Sequence, residues 1–137
     1  MTTVHVVERI EADVQAVWAI LGDFGGLNVG GPITAFKVSG EGVGAVRTIT
    51  MGGAEIVERL ETYDPEALSF SYAIINDDCP IPVADYSSAV KITADGTGCT
   101  VEWTGTFEPK GAPEDKASKL VRGIYTGAIA SARKALE

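Results

Sequence analysis

The chain carries one histidine, two cysteines and no run of basic residues, and each scarcity removes a class of function. There is no CxxC pair and no Cys/His cluster, and His5 has no candidate ligand beside it, so neither a metal centre nor another cofactor is expected. His5 reads instead as a half-exposed strand residue. Cys79 and Cys99 flank the segment PIPVADYSSAVKITAD. If that segment is one extended strand, the thiols stand roughly 35 Å or more apart, beyond the reach of a disulfide, and both are read as free. Lys and Arg number 11 against 19 Asp and Glu, giving a net charge of -8 and a pI near 4.6. That balance argues against a nucleic acid or an anionic membrane surface as partner. The opening MTTVHVVERIEAD has no basic region followed by an apolar one, and no stretch approaches the roughly 18 apolar residues of a membrane span. A cytoplasmic protein is expected.

What the chain does have is core. With 45% hydrophobic and 22% charged residues over 137 positions, it matches a single globular domain spanning residues 1–137. Val4 to Glu11 alternates as a strand. Val14, Val17, Trp18 and Leu21 then share a helical stripe behind Asp13, a candidate N-cap. The glycine-rich GDFGGLNVGGP interrupts this helix, with room for one more helical turn near Leu27 before strands resume at Ile33. From there to Glu108, turn signals at Ser39–Gly42, Gly52-Gly53, Asp64-Pro65, Asn76–Asp78 and Asp95–Gly98 separate six runs rich in Val, Ile, Thr, Tyr and Phe. Such runs pair as an antiparallel meander. Pro113-Glu-Asp115 starts a long helix whose expected apolar stripe is Ala117, Leu120, Val121, Ile124, Ala128, Ala132 and Ala135. The predicted fold is α+β: a curved seven-stranded antiparallel sheet around a long C-terminal helix, with one or two short helices after the first strand. A helix lined with Ala and Gly leaves space against such a sheet, and that space is the expected ligand cavity.

One residue stands out within this pattern. Ile56, Glu58 and Leu60 share a strand face, so an inward face carries a carboxylate with it, at high cost if unpaired. The Gly52-Gly53 signal supplies the partner: a two-residue hairpin pairing Met51 with Ala54 sets Ile49 opposite Ile56 and Arg47 opposite Glu58. The pair is either a structural bridge near a sheet rim or, the favoured reading, a cavity pair that orients a polar ligand group. Leu68, Phe70, Tyr72 and Ile74 share one face, and Tyr86, Ser88, Val90 and Ile92 another, so two phenols and a hydroxyl point inward. In the last strand Val101, Trp103 and Phe107 form the apolar parity, which turns Glu102, Thr104 and Thr106 to solvent.

The element order, LGDF after the first helix, the Gly44-Ala-Val-Arg47 and Glu58-Arg-Leu-Glu61 motifs, the following Asp64, and Asp85-Tyr86 together resemble the START-like helix-grip superfamily. The branch is that of polyketide cyclase/dehydrase-like proteins, related to plant abscisic acid receptors. The resemblance implies that Glu58, Tyr72, Ile74, Tyr86 and Ser88 line a pocket with Leu120, Ile124 and Ala128 of the long helix. It also places Glu102 inside, against its parity, with Thr104 and Thr106 completing a polar wall. Gly30-Gly31-Pro32 stands where many relatives have an aromatic before the proline, the receptors' carboxylate-anchoring lysine is missing, and a tight Gly52-Gly53 turn replaces their gate loop. Arg47 is the substitute cation. The expected function is binding of a small, largely apolar molecule (a polyketide, lipid or aromatic metabolite) by a monomer or homodimer. The alternative is a cyclase or dehydratase in which Glu58, set by Arg47, removes a proton and Tyr72 or Tyr86 donates one.

Overall fold

The computed structural model describes residues 1–26 and 33–137; the helical turn expected near Leu27 and the Gly30-Gly31-Pro32 departure lie outside them. The chain runs β1 (Thr2–Ile10), α1 (Val14–Leu21), β2 (Ile33–Ser39), β3 (Val46–Met51), β4 (Ala54–Asp64), β5 (Ser69–Ile74), β6 (Val83–Asp95), β7 (Gly98–Pro109) and α2 (Glu114–Ala135). All strands join one antiparallel sheet in the order β1-β7-β6-β5-β4-β3-β2. This is the curved α+β helix-grip arrangement, with one short helix after the first strand among the described residues.

Local chemistry accounts for the elements. Asp13 caps α1, its Oδ2 accepting from the amides of Gln15 and Ala16 at 3.1 and 3.4 Å, which satisfies two otherwise unpaired helix-start donors. Gly52 and Gly53 both take positive φ, 58° and 83°, as the tightest hairpin turns require. The resulting register pairs Met51 with Ala54, Ile49 with Ile56 and Arg47 with Glu58, as the Gly-Gly signal predicts. Cys79 and Cys99 are free thiols.

Three register shifts among the described residues were not foreseen, one of them between Ile33 and Ala35 in β2. In β6 the register shifts between Ala84 and Ser87, so Asp85 and Tyr86 together oppose Phe107. Asp85 takes a left-handed φ of 52°, a conformation Asp tolerates better than most residues. The extra residue keeps both Val83 and Tyr86 on the buried face, which strict alternation forbids. Another shift, between Leu60 and Thr62 in β4, sets Tyr63 opposite Phe70.

The long helix α2 packs mainly over β1 and β7. Its buried stripe is Ala117, Val121, Tyr125, Ile129 and Ala132. This corrects the expected stripe, which included Leu120 and Ile124 and left out Tyr125 and Ile129. On the β1 side, Arg122 donates to the carbonyl of His5 at 3.3 Å and Arg133 to that of Arg9 at 2.8 Å. Arg133 also reaches Glu8 at 3.1 Å. These contacts cover a strand edge that would otherwise present unpaired carbonyls. They also fix the rotation of α2, with its arginine flank toward β1.

Candidate functional site

Arg47 and Glu58 meet on the concave face of the sheet, from adjacent positions of β3 and β4. Arg47 Nε donates to Glu58 Oε1 at 2.6 Å, and the two side chains are only 13% and 9% exposed. Arg47 Nη1 donates to the carbonyl of Phe24 at 3.2 Å. The guanidinium also lies 4.1 Å from the centre of the Phe24 ring and 5.2 Å from that of Tyr72, within cation–π range of both. Phe24, the last residue of LGDF, thus holds the cation by its carbonyl and its ring. Glu58 Oε2 has no partner among the described residues. Ile74 of β5 pairs with Glu58 in the sheet and is half-buried.

Beside this pair lies a floor of aromatic rings. The sheet sets Tyr72, Ser88, Gly105 and Val4 in one row across four strands. Trp103 Nε1 donates to Ser88 Oγ at 2.8 Å and, more weakly, to Tyr72 Oη at 3.3 Å. Tyr86 and Tyr125 share a hydrogen bond between their hydroxyls, and Trp103 stacks on Tyr125 with centroids 4.9 Å apart. Tyr125 comes close because residue 105 is glycine: a β-carbon there would overlap its hydroxyl and sit 3.1 Å from its Cζ. Burial pushes the phenols of Tyr72, Tyr86 and Tyr125 above their ordinary range, and for Tyr72 the charge on Glu58 adds to the effect. All three therefore remain protonated donors at neutral pH.

The remaining expected site residues divide. Leu120 and Ile124 are 47% and 40% exposed and Ala128 is half-buried. At about 100° per residue, these three lie on the flank of α2 opposite Arg122 and Arg133. Since the arginine flank points to β1, theirs is turned away from β1. Glu102 is a correction to the implied pocket position. Its side chain is 45% exposed and lies 3.6 Å from His5, on the convex face, because β7 alternates without a bulge at this point and buries Val101 and Trp103 instead. The parity reading of Glu102, Thr104 and Thr106 holds.

Two clefts of about 370 Å³ each open on the surface. One lies between the end of α1 and β4, with Trp18, Gly22, Phe24, Leu60 and Tyr63 in its wall. The other is a polar groove on the convex face that includes Lys91, Glu102 and Thr104. Among the described residues, no three His, Cys, Asp or Glu side chains converge to hold a metal. No described helix is long and apolar enough to cross a membrane.

Phe24, Trp103, Gly105 and Tyr125 were missed as site-forming residues. The available signal was Gly105, a lone glycine within a strand pattern, which marks a close approach by another group.

The family model for polyketide cyclase/dehydrase and lipid transport matches residues 1–137. MLP-like protein 423 of Arabidopsis thaliana is 27% identical over 117 residues, covering 76% of this chain and 74% of that protein. The structure of protein XoxI from Bacillus cereus superposes with a TM-score of 0.87 at 28% identity, covering 99% of this chain and 96% of that one. Norcoclaurine synthase from Thalictrum flavum, solved with dopamine and hydroxybenzaldehyde, shares the fold with a TM-score of 0.74 at 18% identity, covering 98% of this chain and 85% of that one. Matched along its whole length, the chain belongs to the polyketide cyclase/dehydrase and lipid transport family.

Proposed function

We propose that the protein binds a small, largely apolar molecule in the trough between the free flank of α2 and the β3–β5 half of the sheet. In this reading Leu120, Ile124, Ala128 and Ile74 cover the apolar body, Tyr72, Tyr86 and Ser88 form the floor, and Arg47 and Glu58 receive a polar end. The observation that carries it is the exposure of Leu120 and Ile124 on the flank of α2 opposite the arginines that bond to β1. Apolar surface turned toward a concavity, with a few convergent polar groups, is the general form of a small-molecule site. The family description includes lipid transport as well as cyclase and dehydrase chemistry. Binding is preferred here because the floor hydroxyls already bond to one another or to Trp103, which suits shaping a cavity better than exchanging protons with a substrate.

The test is fluorescence titration with an uncharged, environment-sensitive dye such as N-phenylnaphthylamine. Binding near micromolar affinity is expected, equivalent to about 8 kcal/mol. Ala128→Trp, which fills the trough from the helix side, should abolish it. Unchanged dye binding by a folded Ala128→Trp variant would remove α2 from the site.

A further inference from the structure

The state of Arg47 bears on which ligands the trough accepts. A carboxylate engages arginine best along an edge of the guanidinium, with two parallel hydrogen bonds. Here Nε is bound to Glu58 and Nη1 to the Phe24 carbonyl, while Phe24 and Tyr72 lie over the plane. Only Nη2 lacks a partner among the described residues: the Nε–Nη2 edge has given Nε to Glu58, and one of the two Nη1 protons is committed to Phe24. Glu58, by contrast, has in Oε2 an acceptor with no partner among the described residues. The pair is neutral as a whole. An incoming anion would find the Nε edge taken and would meet the Glu58 charge beside it. A hydroxyl fits both open atoms, donating to Glu58 Oε2 and accepting from Arg47 Nη2.

The geometry points to an uncharged hydrogen-bond donor, an alcohol or phenol, as the polar group of the ligand, with Glu58 as the residue that excludes carboxylates. This reading departs from the expectation of Arg47 as the substitute cation. The inference rests on the proposed trough and adds its chemical selectivity.

The experiment measures displacement of bound N-phenylnaphthylamine at neutral pH by a naphthol and by the corresponding naphthoate, which share a ring system and differ in the polar group. For the wild-type protein, naphthol should displace the dye at a concentration about tenfold lower or more, because like charges in contact at a largely buried site repel by over a decade in affinity. In Glu58→Gln the naphthoate should gain at least about tenfold relative to naphthol, since the negative charge beside Arg47 is then gone while the shape of the site is kept. The same variant supplies a second readout through its melting temperature: naphthoate should stabilise it more than naphthol does, even where the substitution itself weakens the fold. Equal displacement of the wild type by both probes, or a preference that Glu58→Gln leaves unchanged, overturns the assignment of selectivity to Glu58 while the trough stands. Displacement by neither probe overturns the alcohol or phenol assignment alone. Failure of the dye itself to bind removes the trough and this inference together.

Discussion

Arg47 illustrates how a charge is kept in a nearly dry place. Its guanidinium meets a carboxylate, a carbonyl and two aromatic faces, so the cost of leaving water is offset from four directions. Among the described residues Glu58 has only that one partner, which makes the pair asymmetric and gives a sharp expectation. Glu58→Gln preserves shape but leaves Arg47 without its counter-charge, and at 13% exposure solvent screens it poorly. A loss of about 3 kcal/mol is expected, read as a lower denaturant midpoint at constant slope. The Arg47→Met/Glu58→Leu double variant should recover most of that loss, because apolar side chains of similar volume need no compensation. A cost below about 0.5 kcal/mol for Glu58→Gln would mean that water reaches the pair freely. If the pair serves the ligand, the rescued double variant will be stable and yet lose the naphthol over naphthoate discrimination attributed to Glu58.

At the scale of elements, the contact between β7 and α2 depends on an absent side chain. Gly105→Ala drives a methyl group into the Tyr125 hydroxyl and should cost about 1–3 kcal/mol, the usual range for overpacking. Tyr125→Phe alone should cost about 1 kcal/mol by leaving the Tyr86 hydroxyl without its partner. Combined, the two should cost clearly less than their sum, since the clash and the hydrogen bond involve the same oxygen. Strict additivity in thermal or denaturant melts would mean that Tyr125 sits elsewhere. This contact also marks where the sequence stopped being legible. The Gly52-Gly53 turn carried a register that could be read directly, because two consecutive glycines at a hairpin tip leave few ways to pair the flanking strands. The α2 stripe was misread because Tyr125 is bulky and polar-tipped, while Leu120 and Ile124 are plainly apolar; only the position of Gly105, on another element, reveals which face is buried. The bulge at Asp85-Tyr86 was equally hidden, since nothing in VADYSS departs from strand composition. Glu102 shows the opposite case, in which simple alternation was right and the inference drawn from relatives was not.

Across the whole molecule, the concavity of the sheet is divided. The half beneath α2 is filled by Trp103, Tyr125, Tyr86 and Phe107, while the half toward β3 carries the Arg47–Glu58 pair. A dry, filled half gives the binding half a rigid floor, and its dryness can be tested by pH. Burial raises the phenols of Tyr72, Tyr86 and Tyr125, whereas in the unfolded chain tyrosine ionises near about pH 10. Below that pH neither state loses these protons, and the three phenols make no contribution to pH dependence. Above it the unfolded chain releases them while the native protein holds them. The unfolded state then binds fewer protons, and stability must fall as pH rises. With three such groups the slope approaches about 4 kcal/mol per pH unit once the unfolded phenols are ionised and the native ones are not. The expected record is therefore cooperative: tyrosinate absorbance from three of the four tyrosines should rise only when near-ultraviolet circular dichroism collapses, at one alkaline midpoint for both signals. A gradual ionisation of all four near pH 10, with the dichroism of the native state intact, would show that water enters the floor. The rigid half would then have to be abandoned as the scaffold of the site.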